Sequence, residues 1–249
     1  MIKLKSCLCY TLLTLVFILF FSISCKKDES PLPATILKDL DGNIYDIIVI
    51  GSQSWMKENL KTTKLNDGTL ILNVTDDNSW ASATNPAYCW YNNDANINKD
   101  LYGALYNFYS VKTGKLCPSG WHVPSDSEWT ILVDYLISNG YNYDGTASEN
   151  KVSKSLSSST GWGTSIFEGA VGNNDYPSSQ NKTGFSAMPG GYRDLDGWFL
   201  SKYITSNWWS SSETLHGAVW YLKISCVSSG TNRLNSYNET GFSVRCIKD

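Results

Sequence analysis

Three groups of side chains in this chain have types and spacings that could do chemistry. Asp94, Asn96, Asn98 and Asp100 form D-x-N-x-N-x-D, with oxygen-bearing side chains at alternate positions, as a calcium-binding loop has them. Lys99 stands where an EF-hand needs glycine and Leu105 where it needs its bidentate glutamate, so the four are a weak calcium candidate beside the expectation of a solvated loop. Tyr192, Arg193, Trp198, Trp208, Trp209 and Glu213 form the second group. Flat aromatic faces stack on the apolar faces of sugars, and charged neighbours bond hydroxyls. Tryptophan is also usually buried, and Trp208 and Trp209, adjacent on a strand, must point to opposite faces. At most one of that pair is expected to be a platform, and the core reading leads for the cluster.

The third group is Asp194, Asp196 and Glu213, from which a glycosidase carboxylate pair would be drawn. Asp194 and Asp196 flank Leu195 just before Gly197, so turn chemistry accounts for them first. The only histidines are His122 and His216, and no G-x-S-x-G elbow accompanies His216. No catalytic residue is assigned, and the chain is not expected to be an enzyme.

The element best placed to organise these groups lies between Cys117 and Gly140. Ser125 and Glu128 form an S-x-x-E capping box behind Pro124. Trp129, Leu132, Val133 and Leu136 then make one apolar stripe, and Gly140 supplies the stop. Nearer the amino terminus, Asp41-Gly42 reads as a hairpin turn, residues 44–50 as a buried strand and residues 53–60 as its partner. Asp67-Gly68 repeats the turn signal, and residues 73–100 read as polar and irregular. Residues 101–111 fit neither a helix nor a strand, and residues 147–156 are expected to form a second helix with a Ser/Thr/Gly-rich loop behind it. Short strands are expected at residues 184–188, 198–200, 208–211, 218–225 and 241–247. Strands at both ends with helices between them predict an α+β domain.

The first residues bear Lys3 and Lys5, an apolar run over residues 8–23, then Ser24 and Cys25. That run is shorter than the roughly 20 residues a membrane span needs, which favours a signal peptide over residues 1–24. A small residue before a cysteine resembles a lipobox, although Ser22 departs from the usual leucine; the resemblance implies lipidation of Cys25 and a membrane anchor. The following KKDES resembles the surface-export signal of Bacteroidota lipoproteins, which implies an outer-membrane lipoprotein exposed at the cell surface. Residues 25–38 are then the lipidated cysteine and linker, and residues 39–249 the domain. Removing residues 1–24 takes away two lysines and no acid, moving the net charge from −3 to −5, and an acidic chain without a basic cluster argues against nucleic acid. Cys89, Cys117, Cys226 and Cys246 remain, able to pair outside the cytoplasm in any of three ways.

Six ordered segments resemble the Fibrobacter succinogenes major paralogous domain: DGNIYDIIVIGSQSWMKENL, YGALYNFYSV, LCPSGWHVPSDSEW, TGFSAMPGGYRDLDGWF, WWSSSE and GFSVRCIKD, spanning residues 41–249. The same motif order is similar to the C-type lectin-like fold of formylglycine-generating enzymes. That likeness implies short antiparallel strands, one or two helices and long loops, with Cys117 paired to Cys246 and Cys89 left with Cys226 as a second pair. The reactive cysteine pair of those enzymes is missing from residues 185–193 and 198–213, and the Glu-Pro-Asn and Trp-Asn-Asp calcium motifs of sugar-binding C-type lectins have no counterpart. The resulting expectation is a surface-anchored, non-catalytic module for a glycan or a surface protein, with no cofactor beyond the calcium candidate. The alternatives are a polysaccharide-acting hydrolase and a structural or assembly subunit of the cell envelope.

Overall fold

A computed structural model describes residues 36–249; the expected signal peptide, Cys25 and the linker up to residue 35 lie outside the described residues. Asp39 accepts backbone N–H bonds from Asp41 and Asn43, closing β1 (Leu37–Lys38) onto β2 (Ile44–Tyr45). β3 (Ile47–Ile50) pairs antiparallel with β4 (Gln53–Met56). β5 (Leu72–Asn73), α1 (Asp77–Ala81) and β6 (Ala87–Cys89) follow, then α2 (Ala95–Tyr102), β7 (Leu105–Tyr106) and α3 (Phe108–Lys112). Each of these three helices starts on an Asp or Asn side chain, Asp76, Asp94 and Asn107, that accepts an N–H of its first turn. β8 (Trp121–His122) leads into α4 (Asp126–Ser138), and α5 (Ser153–Leu156) is a single turn. β9 (Tyr192–Arg193) and β10 (Phe199–Leu200) form a hairpin; β11 (Thr205–Glu213), β12 (Val219–Ser225) and β13 (Asn232–Ser236) form an antiparallel sheet in that order. β14 (Ile247–Lys248) closes the sheet β3-β4-β14-β8. Small, mostly antiparallel sheets with short helices make this an α+β domain.

α4 follows its sequence signals closely. The capping box is complete, Trp129, Leu132 and Leu136 are buried, and the Tyr141 N–H bonds the Leu136 carbonyl across Gly140, a left-handed stop at φ +74°. Elsewhere tertiary bonds override the local pattern. Residues 44–50 are not one buried strand: β3 is the outer strand of its sheet, and Ile44, Ile47 and Val49 are exposed while Ile50 faces the core. Residues 73–100, read as irregular, contain α1, β6 and most of α2. The expected helix over residues 147–156 survives only as α5, because Asn142 Nδ2 bonds the carbonyls of Thr146, Ser148 and Glu149 and Glu149 sits at φ +61°. Residues 184–188 contribute one bridge, Ser157 to Ala187, rather than a strand, and the polar β13 had no sequence signal.

The adjacent tryptophans of β11 tie the cores together. Trp208 enters the cluster built from Trp55, Trp129, Phe185 and Ile224, while Trp209 enters the one built from Tyr106, Phe108, Val244 and Phe242. Both are fully buried, and both indole N–H groups are satisfied: Trp208 Nε1 donates to Asn59 Oδ1 at 2.8 Å and Trp209 Nε1 to the Tyr106 carbonyl at 2.7 Å. A third cluster holds Trp80, Cys89, Tyr91 and Leu105. All three clusters lie inside residues 36–249, so this unit carries its own core.

Cys117 and Cys246 form a disulfide across a sequence separation of 129, joining the approach to β8 to the start of β14. Cys89 and Cys226 do not pair, which corrects the expected second bridge: Cys89 sits on β6 in the third cluster, and Cys226 follows β12, where its carbonyl accepts the Gly172 N–H. Burial pushes the Cys89 thiol up to about 12, so it is an inert core group. His122 on β8 lies between two carboxylates, with Nε2 2.9 Å from Glu128 Oε1 and Nδ1 2.6 Å from Asp249 Oδ1. Burial disfavours its charge, but the two carboxylates outweigh burial and raise its pKa.

Two outcomes follow for the residue 36–249 unit. Alkylation without reductant is expected to leave the native protein unlabelled and to label both Cys89 and Cys226 once it is unfolded; mass spectrometry showing no labelled thiol after unfolding would mean they are bridged. The raised folded pKa of His122 gives a stability contribution fully present below the unfolded value of about 6.5 and lost as pH rises through the folded value. Denaturant titrations should therefore show His122→Gln destabilising the protein at pH 6 and the gap narrowing toward pH 9.

Candidate functional site

The late aromatic region is mostly interior. Arg193 is fully buried and stacks on Trp80 and Phe199 with centroid distances of 4.6 and 4.7 Å. Its guanidinium donates to the carbonyls of Gly197, Val74 and Thr75 and to Asp77 Oδ1, pinning the β9–β10 hairpin to the segment ahead of α1. Trp208 and Trp209 are core side chains on both faces of β11, which removes the expected platform from that pair. Tyr192 is half-buried against Phe242, and Glu213 pairs with Lys112 at 2.9 Å on the surface. Asp194 Oδ1 accepts the N–H groups of Asp196 and Trp198 at 3.1 and 2.8 Å, the expected turn. Among the six candidates only Trp198 offers an open aromatic face, at 64 % exposure.

The D-x-N-x-N-x-D stretch is helical, not a loop. Asp94 caps α2 by accepting the Ile97 N–H at 3.2 Å, and Asn98 turns inward, donating to the Tyr91 and Asp94 carbonyls. The helical repeat sets Asp94 and Asn98 on one side and Asn96 and Asp100 on another, so the four oxygens do not converge. Lys202 Nζ, 2.7 Å from Asn98 Oδ1, already supplies a cation there. Among the described residues no group of three or more His, Cys, Asp or Glu side chains is placed to hold a metal ion.

A cleft of about 390 Å³ with mixed polar and apolar lining opens instead in the Ser/Thr/Gly-rich segment behind α5. Two stretches of the chain line it, one with Ser159, Thr160, Trp162 and Thr164 and one with Asn174, Asp175 and Pro177. Irregular backbone holds this shape because each wall is fastened to the core. Ser158 N–H bonds the Ala187 carbonyl and Gly163 N–H the Tyr203 carbonyl, while Trp162 Nε1 donates to Ser158 Oγ at 3.2 Å. Gln180 Nε2 donates to the carbonyls of Ser157 and Ser158 at 3.0 and 2.7 Å, crossing between the walls. At Gly172 a Cβ would lie 2.1 Å from the Gly163 carbonyl oxygen, so the two walls meet where only glycine fits.

Buried Lys154 anchors the far wall, with Nζ 2.6 Å from Asp175 Oδ1 and 2.8 Å from the Asn173 carbonyl. Burial acts against the Asp175 charge, but Lys154 and the Gly169 N–H outweigh it and hold the carboxyl below its usual range. The cleft thus offers one indole, several hydroxyl and amide groups and one fixed carboxylate, a set that pairs with a polyol by stacking and hydrogen bonding. The sequence marked this segment only as a loop; hydroxyl residues crowded around a lone Trp162 were the usable signal.

The family model described as Fibrobacter succinogenes major domain matches residues 48–248. No curated protein and no solved structure matches the chain.

Proposed function

The chain belongs to the Fibrobacter succinogenes major domain family, and from that footing we propose that it is a surface-anchored lipoprotein whose folded domain is a non-catalytic binding module for glycans. The anchor reading rests on the signal-like residues 1–24, on Cys25 and on the charged KKDES behind it. A C-type lectin-like course of the chain is supported by β8 feeding α4, by β14 closing between β4 and β8, and by the disulfide that joins the two regions. No helix among the described residues is long and apolar enough to cross a membrane.

The observation that carries the glycan reading is the Trp162 cleft. Its lining includes four hydroxyl and three amide side chains, which complement sugar hydroxyls, and half-buried Trp162, packed against the core cluster around Trp208, brings an indole to the same lining as the candidate stacking face. Asp175 is the one acidic residue in that lining, and its Oδ1 is held by Lys154. Glycoside hydrolysis in its usual form needs two carboxyl groups flanking the bond, so the same lining favours binding over cleavage. Asp194 is committed to its turn and Glu213 to Lys112, which leaves the hydrolase reading without a pair there. The acidic chain and its absence of a basic cluster speak against nucleic acid as the partner.

On an array of plant, host and bacterial glycans, supplemented by pull-down on insoluble fibres, the residue 36–249 unit is expected to bind. Trp162→Ala should weaken that binding by about tenfold or more, the scale of losing one stacked aromatic and its buried area. Trp198→Ala should leave it unchanged. Silence of the folded protein on both the array and the fibres, or binding that survives Trp162→Ala and disappears with Trp198→Ala, would contradict the assignment.

A further inference from the structure

β3 is an outer strand with exposed apolar side chains and a backbone paired on one side only. It forms one edge of the sheet β3-β4-β14-β8 and pairs with β4 in an unbroken register from Ile47 opposite Met56 to Ile50 opposite Gln53. The Met56 N–H bonds the Cys246 carbonyl, so it points away from β3 toward the start of β14. Opposed residues of an antiparallel pair alternate between bonded and non-bonded positions, and Ile47–Met56 is therefore a non-bonded pair. Val49–Ser54 shares that phase, which turns the N–H and C=O groups of Ile47 and Val49 outward. Among the described residues no protein group bonds them there.

The same two residues carry the exposed side chains. Ile47 is 40 % and Val49 66 % exposed, while Ile48 and Ile50, on the opposite face, pack toward the core around Trp55. Native sheets blunt an open edge with charge, proline or a bulge, because unpaired backbone groups recruit another strand. β13, at the edge of the β11-β12-β13 sheet, follows that rule by carrying Arg233 among Asn232, Asn235 and Ser236. β3 does not: Ile47–Ile50 has no charge, no proline and no bulge. Lipid could cover such side chains but would leave the N–H and C=O groups without partners, so the occupant that fits is a strand.

We propose that β3 is a self-association edge, pairing antiparallel with β3 of a second copy about a two-fold axis that passes through Ile48 perpendicular to the sheet. In that register Ile47 lies opposite Val49 of the second copy, and Val49 opposite Ile47 of the second copy. These are the residues whose N–H and C=O groups point outward, so each pair exchanges both of its bonds. Their side chains meet on one face as apolar cross-strand pairs. Asp46 falls opposite Ile50 of the second copy, so no like charges face each other across the seam. A seam of four-residue strands is small beside the roughly 1,200 Å² that stable complexes bury, which makes the dimer a weak, reversible one. The edge shares no residue with the Trp162 cleft and does not depend on the glycan reading.

Sedimentation velocity of the residue 36–249 unit over a wide concentration range tests this. The weight-average mass is expected to rise from one chain toward two and to stop there. Val49→Lys, at a mostly exposed position, should keep the thermal midpoint of the parent and stay monomeric at every concentration, because it sets a charge in the seam. Leu215→Lys, at the fully exposed position beside the β11–β12 turn, should dimerise as the parent does. In a mixture of isotope-labelled and unlabelled parent, nuclear Overhauser contacts between copies should join Ile47 to Val49, a reading that needs no variant. A monomer at all concentrations, growth beyond two chains, unchanged dimerisation of folded Val49→Lys, or contacts between copies that lie elsewhere would overturn the proposal.

Discussion

Everything else in the domain depends on two neighbouring side chains facing opposite ways. A strand presents successive residues to opposite faces, and on β11 the residues so presented are Trp208 and Trp209. Each fills a different core, and each core is assembled from remote parts of the chain: Trp55, Trp129 and Phe185 around one, Tyr106, Phe108 and Phe242 around the other. Truncating a buried aromatic of this size costs about 3–5 kcal/mol. Because the two anchors share one strand, displacing either would shift the other. The indole bonds extend the coupling, since Trp208 reaches Asn59, which in turn holds Arg245 and the Tyr102 carbonyl.

That constraint decides where function can reside. A strand with both faces buried has no platform to offer, and Arg193, next to it in the β9–β10 hairpin, is consumed in bonding three carbonyls and Asp77. Binding chemistry is displaced to segments that hang from this frame rather than form it. The residue 158–180 segment is of that kind: its hydroxyls and Trp162 line a cleft whose walls Gln180 and Gly172 hold together and which Lys154 fastens through Asp175. A site on a pinned loop is pre-shaped, which lowers the ordering cost of binding.

How much of this was legible in the sequence depended on how local the cause was. α4 could be read almost to the residue because its cap, stripe and stop are all within its own span. α2 could not: Asn98 is held inward by the Tyr91 and Asp94 carbonyls and by Lys202, far along the chain, whereas a string of alternating Asp and Asn residues reads as a solvated or ion-binding loop. β13 is polar and is a strand only because β12 lies beside it. The alternation rule placed Trp208 and Trp209 on opposite faces correctly; that both faces are covered is a property of the assembled cores. The bridge between Cys117 and Cys246 followed from family likeness, whereas the same likeness misled for Cys89 and Cys226, which occupy separate packed environments.

The most direct measurement is hydroxyl-radical footprinting of the native residue 36–249 unit, read tryptophan by tryptophan by mass spectrometry. The account predicts that Trp198 and Trp162 are modified under native conditions and that Trp208 and Trp209 are modified only after unfolding. Native modification of Trp208 or Trp209 at a rate comparable to Trp198 would contradict it, because the strand taken here as the frame would then be an open surface.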